Sequence, residues 1–108
     1  PKFIDTKDSA LVSTIKRDVN TTIASIQSYY LLNSKIEKIS DAVTVNLSNW
    51  SFSDVTNTKI TDKSGCITLE ITTISGAKVI DLKNTTKESS ICTKIRNSGI
   101  EIKTYELY

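Results

Sequence analysis

Through residues 1–33 the apolar positions recur at the spacing of an α-helix. Ile4, Leu11, Val12, Ile15, Val19, Ile23, Ile26, Tyr29 and Tyr30 fall within an arc of about 120°. The stretch holds no Gly and no Pro after Pro1, and Asn33-Ser34 supplies a stop. Phe3, Ala10, Ala24, Leu31 and Leu32 lie outside the arc, so both ends are more apolar than a simple surface helix requires. One helix of this length is roughly 50 Å long, whereas a compact domain built from this chain is only about 30 Å across. Either the helix breaks, or one end projects beyond the body, and a projecting apolar helix needs a partner. Asp8 falls inside the apolar arc. It reads first as a residue in water where the arc is uncovered, and second as the mate of a basic residue on a neighbouring subunit.

The pattern changes beyond the helix. In the connecting segment 34–65, Lys35 to Ile39 reads as a helical turn or the start of a loop, and Val43 to Leu47 alternates like a short strand. Trp50 and Phe52 alternate with Ser and are placed to cover one edge of the core, and Asp62-Lys63-Ser64-Gly65 reads as a turn. From residue 66 the period is two. Cys66 to Thr72 puts Ile67, Leu69 and Ile71 on one face, Ser75-Gly76 marks a tight hairpin, and Lys78 to Leu82 returns. Asn84 to Ser89 is a polar loop, Ser90 to Ile95 a short strand or helical turn, and Ile100 to Leu107 a last strand. The expected fold class is α+β in a single domain: one long N-terminal amphipathic helix (1–33), a connecting segment (34–65) and a small antiparallel sheet with a cysteine-bounded loop (66–108).

Composition narrows the picture little. A chain of 108 residues with 38% hydrophobic and 24% charged residues is ordinary for one globular domain, and its net charge of +2 points to no polyanionic partner. No apolar run approaches the ~18 residues of a membrane span. The chain holds no Met and opens on Pro1, which reads as the start of a processed or trimmed fragment. Cys66 and Cys92 read either as a disulfide in an exported protein or as two separate buried thiols. The disulfide is favoured, since closing that loop would add roughly 3–4 kcal/mol to a fold with a small core.

Candidate chemistry is sparse. With no His there is no common general base, no partner for a Ser or Cys nucleophile, and too few soft ligands for structural zinc. The three glycines are separated, so no phosphate-binding loop forms, and no calcium loop is recognisable. Neither an enzyme nor a cofactor is expected, and no catalytic, cofactor-binding or metal residue is assigned. Lysines 35, 38, 59, 63, 78, 83, 87, 94 and 103 are candidates for a basic patch, but aromatic residues interleave them sparsely and acidic residues are mixed in, so nucleic acid stays the weaker partner expectation. Asn-x-Ser/Thr triplets start at Asn20, Asn46, Asn49 and Asn84, and only Asn20 has an acidic residue, Asp18, two places before it.

Pro1-Lys2-Phe3-Ile4-Asp5 and the helix after it resemble the junction between the apolar half-helix and the soluble head of a type IV pilin or type II secretion pseudopilin. Tyr29-Tyr30 near the helix end, the antiparallel sheet, and the segments Cys66-Ile67-Thr68-Leu69 and Ile91-Cys92-Thr93-Lys94 at the two ends of a loop are similar to the same family. The absence of a calcium loop and the presence of the cysteine pair set the chain nearer to pilins than to major pseudopilins. The resemblance implies a pilin-like head whose apolar membrane segment precedes Pro1, a leader-processed and methylated N-terminus, and a Cys66–Cys92 disulfide. It implies an exported bacterial protein, anchored in the inner membrane before assembly and then part of a periplasmic or extracellular filament.

The function expected is that of a structural subunit of a pilus or of a related secretion or competence pseudopilus. Its partners are other pilin or pseudopilin subunits, and the inner membrane through the preceding segment. Helix packing, in the filament and the core, is assigned to Phe3, Ile4, Leu11, Ile15, Val19, Ile23, Ile26 and Tyr30. Residues from about Leu11 to Tyr30 are expected to belong to the head's core and residues 1–10 to the filament, burial of the helix arc to drive association, the cysteine-bounded loop to be exposed to partners, and the chain alone to be monomeric. The alternative is a small secreted binding module, an adhesin or DNA-uptake receptor, acting through the head surface.

Overall fold

The computed structural model describes residues 2–53 and 55–107, with side chains from residue 8 onward. Its elements run in the order α1 (Lys2–Asn33), a 3-10 turn (Ile39–Asp41), β1 (Trp50–Phe52), β2 (Lys59–Asp62), β3 (Ile67–Ile74), β4 (Ala77–Asn84), α2 (Ser90–Arg96) and β5 (Thr104–Glu106). The strands form one antiparallel sheet in sequence order, β1-β2-β3-β4-β5. The α+β expectation of a long N-terminal helix and an antiparallel sheet therefore holds.

The helix is unbroken. It ends where Ser34 takes a left-handed φ of 60° and donates its N–H to Tyr30 O at 2.7 Å. At 32 residues α1 is roughly 48 Å long, matching the 49 Å long axis of a molecule only 25 Å across in its other two directions. The β3–β4 hairpin turns on Ser75 and Gly76, with φ of 53° and 82°. Both angles are positive, as a two-residue turn matched to the strand twist requires.

Register explains the core. Phe52 lies opposite Ile60, Ile60 opposite Leu69, and Leu69 opposite Leu82, giving an apolar row across four strands. Ile71, Ile80 and Tyr105 form a second row on the same face. Ile15, Val19, Ile23 and Ile26 of α1 belong to the same buried cluster as these strands, which Trp50, Ile36, Ile39, Ile95 and Leu107 complete. The other face of the sheet is mostly polar: Ser51, Thr61, Thr68 and Lys83 make one row, Lys59, Glu70, Asp81 and Thr104 the next, and a third, Thr72 and Glu106, flanks a buried Val79. One face buried and one solvated is the ordinary state of an antiparallel sheet covered by a helix.

Several local expectations are corrected. Val43 to Leu47 alternates but forms no strand; Val43 and Val45 rest half-buried on the core with no ladder partner beside them. The sheet instead begins at Trp50, so two of its strands lie inside what reads as a connecting segment. Of the two forms left open for Ser90 to Ile95, the helical one is present, as Ser90–Arg96 capped by Ser89, whose hydroxyl accepts the N–H of Cys92. The last strand is confined to Thr104–Glu106, with one further bond to β4 just before it, from the Leu82 N–H to Lys103 O at 3.2 Å. The segment between the cysteines is no pendant loop either, since it contains β3 and β4, the two longest strands.

The disulfide joins Cys66, just before β3, to Cys92 in α2, with both residues fully buried. Asp62 holds the first of these in place. Its carboxylate is 2% exposed and accepts the N–H groups of Cys66 and Ile67 on Oδ1, at 2.7 and 2.8 Å, and of Ser64 on Oδ2 at 3.0 Å. A buried carboxylate is tolerated where backbone donors surround it in this way. Replacing both cysteines by Ser should lower unfolding stability by about 3–4 kcal/mol, read as a shift of the urea midpoint, because the bridge spans a sequence separation of 26.

Candidate functional site

The helix assigned to packing divides by burial. Ile15, Val19, Ile23 and Ile26 are 1%, 1%, 7% and 0% exposed, all inside the chain's own core. Leu11 and Tyr30 are half-buried against that core. The side chains of Phe3 and Ile4 lie outside the described residues. The half of the helix expected in the head's core is thus buried there, and the stripe from Ile15 to Ile26 is not available to a neighbour. The surface α1 does present is its far side, where Ala10, Ser13, Arg17, Asn20, Ala24, Ser28, Leu31 and Leu32 are exposed. Leu31 and Leu32 are 73% and 84% exposed at the C-terminal end.

Both readings of Asp8 are overturned. Its Oδ2 lies 3.0 Å from Nζ of Lys94 on α2 of the same chain, with side chains 35% and 38% exposed. The acid in the apolar arc marked the place where α2 crosses α1. Lys16 adds a second tie by donating to Ser98 O at 2.9 Å. A hollow between the two helices is lined by Ser9, Val12, Ser13, Thr93, Lys94, Asn97 and Ser98.

Two further contacts of α1 carried no sequence signal. Asp18 accepts the indole N–H of Trp50 at 3.0 Å, joining mid-helix to β1 beside a cavity of about 60 Å³. Gln27 donates to Glu106 O at 2.8 Å, on the outer margin of β5. The sequence separations of 32 and 79 explain why neither was visible along the chain.

Many of the candidate basic residues are occupied within the chain. Lys78 donates to Ile36 O, Lys87 to Ser64 O, Lys83 pairs with Asp81, and Lys103 with Glu101. The Glu101 side chain holds Lys103 above its ordinary value, by its hydrogen bond first and its charge second, and partial burial raises Tyr105 beside it. Both groups keep their protons at neutral pH, so this corner is no switch near neutrality. Among the described residues no cluster of His, Cys, Asp or Glu is placed to hold a metal ion, and no helix is long and apolar enough to cross a membrane.

Comparison with protein-family models, with curated proteins and with solved structures returns no match. The site is therefore read from its geometry alone: a long helix fastened along its middle to a sheet, with one face buried and the other bare.

The Asp8–Lys94 pair is more than a third exposed on the lysine side, so solvent screens it. A double-mutant cycle with Asp8→Asn and Lys94→Met should return a coupling of at most about 1 kcal/mol that shrinks in molar salt. With the Ile15-to-Ile26 stripe internal, the chain on its own should run as a monomer in light scattering at micromolar concentration, and a stable dimer would show that the bare face of α1 suffices for association.

Proposed function

We propose that this chain is the head of a filament subunit of the type IV pilus or pseudopilus kind, assembling through α1. The observation that carries the reading is the unbroken helix of roughly 48 Å, as long as the whole molecule, with one side left exposed from Ala10 to Leu32. Contacts of α1 with the rest of the chain run from Asp8, paired with Lys94, to Tyr30, packed on the core, and the helix continues through residues 2–7 N-terminal to them. A helix that long, with an uncovered side rich in small residues, suits parallel packing against copies of itself. The order of elements, helix first and antiparallel sheet after, supports the same reading, as does the disulfide, which belongs to exported proteins.

On this reading an apolar segment continues α1 upstream and holds the subunit in the inner membrane until it enters the filament. The buried stripe anchors the head to its own helix, and the bare side of α1 together with the upstream segment meets neighbouring subunits. The polar outer sheet face, with its Thr, Lys, Glu and Asp rows, then faces solvent on the filament exterior. A binding module finds less support in the geometry, since the lysines are largely tied to carbonyls and carboxylates of the same chain.

Filaments sheared from the source cells should contain the chain by immunoblot. Ala10→Glu, at an exposed position on α1, should leave the denaturation midpoint within about 0.5 kcal/mol of the parent while removing the subunit from sheared filaments. Absence of the parent chain from all sheared material, or unchanged incorporation of the variant, would count against assembly through α1.

A further inference from the structure

Asn46 opens the turn that leads into β1. Its backbone carbonyl accepts the N–H groups of Asn49 and Trp50, each at 3.0 Å, and its side-chain Oδ1 accepts the N–H of Ser48 at 3.0 Å. That second bond is an Asx turn, which folds the third residue of Asn46-Leu47-Ser48 back onto the first. The triplet is also an Asn-x-Ser pattern, the acceptor motif for N-linked sugar. All three residues are exposed, and among the described residues none accepts from Asn46 Nδ2. A donor on Oδ1 stabilises the negative charge that gathers there when Nδ2 gives up a proton, so the turn makes the amide nitrogen a better nucleophile at the moment of transfer.

The other three triplets lack this arrangement. Asn20 has the acidic residue before it but lies in mid-helix, where residues two apart point about 160° away from each other. Asn20 is accordingly exposed while Thr22, its hydroxyl partner in the motif, is buried. Asn49 is half-buried, with its carbonyl bonded to the Lys63 N–H. Asn84 sits in the ladder opposite Ile67, and the next residue, Thr85, is bonded to Gly65 O and Cys66 O.

We infer that Asn46 is the N-glycan acceptor of this chain, with a polyprenyl diphosphate-linked oligosaccharide as sugar donor. Nδ2 attacks the anomeric carbon, and an N–C bond forms as the C–O bond to diphosphate breaks. The diphosphate leaves with the electron pair, and the Nδ2 proton passes to a base of the membrane transferase. Nothing is oxidised or reduced. The inference rests on the exported reading proposed above, because donor and transferase belong to the exporting membrane.

Peptide mass spectrometry with fragmentation, on protein purified from its own cells, tests it. The expected result is glycan mass on Asn46, bare Asn20, Asn49 and Asn84, and loss of the modification in Asn46→Gln and in Ser48→Ala. A bare Asn46, or glycan on Asn20 in its place, overturns the inference. Thiol titration of the same sample separates the two failures. A bare Asn46 with Cys66 and Cys92 oxidised sinks the acceptor site and leaves the exported reading standing, whereas a bare Asn46 with both thiols free sinks both.

Discussion

The rest of the structure depends on the burial of one aliphatic stripe. Ile15, Val19, Ile23 and Ile26 lie on successive turns of α1, in one cluster with the rows that run from Phe52 to Leu82 and from Ile71 to Tyr105. Neither partner is stable alone. A solitary helix is marginal in water, and a sheet with one apolar face needs a cover. Each buried aliphatic side chain contributes on the order of 2 kcal/mol, so the stripe and its sheet together decide whether the chain folds. The ties around it have other duties. Trp50 to Asp18 fixes the azimuth of the helix near its middle, while Asp8 to Lys94 and Lys16 to Ser98 fix its N-terminal side to α2.

This use of the helix limits what it can do for a partner. The residues best suited to drive association are already buried, so any interface on α1 must be made by smaller and more polar side chains. Such an interface gains from close approach and many weak contacts rather than from large apolar anchors. It would be weak in a single pair and effective in an array, where each subunit touches several others at once.

Much of the fold was legible along the chain, for identifiable reasons. The helix was, because its period persists for eight turns without Gly or Pro. The β3–β4 hairpin was, because strict alternation brackets a turn that needs two positive φ angles, and Ser75-Gly76 supplies them. The short strands were not: β1 and β5 have three residues each and β2 has four, too few for alternation to stand out. Val43 to Leu47 shows the reverse error, a pattern with the right period and no sheet edge to receive it. The site fared worse than the fold. Asp8 announced itself by standing in an apolar arc, but its mate lies 86 residues away on a helix whose type the local sequence left open. The Asx turn at Asn46 depends on a backbone bend that residue identities alone do not specify.

One contact bears on the sheet as a whole. Glu106 O faces away from β4, on the outer side of β5, and the Gln27 amide occupies it. One acceptor on the margin of the sheet along β5 is therefore taken by a side chain from the helix. On the opposite margin Asn46 O takes the outward N–H of Trp50, but among the described residues no backbone group meets the outer side of Phe52. Each margin thus has one outward backbone group taken from within the chain, by the helix at β5 and by the Asn46 turn at β1. A strand added from outside along β5, in assembly or in misfolding, must first displace the Gln27 amide from Glu106 O, so the helix itself stands guard over that edge.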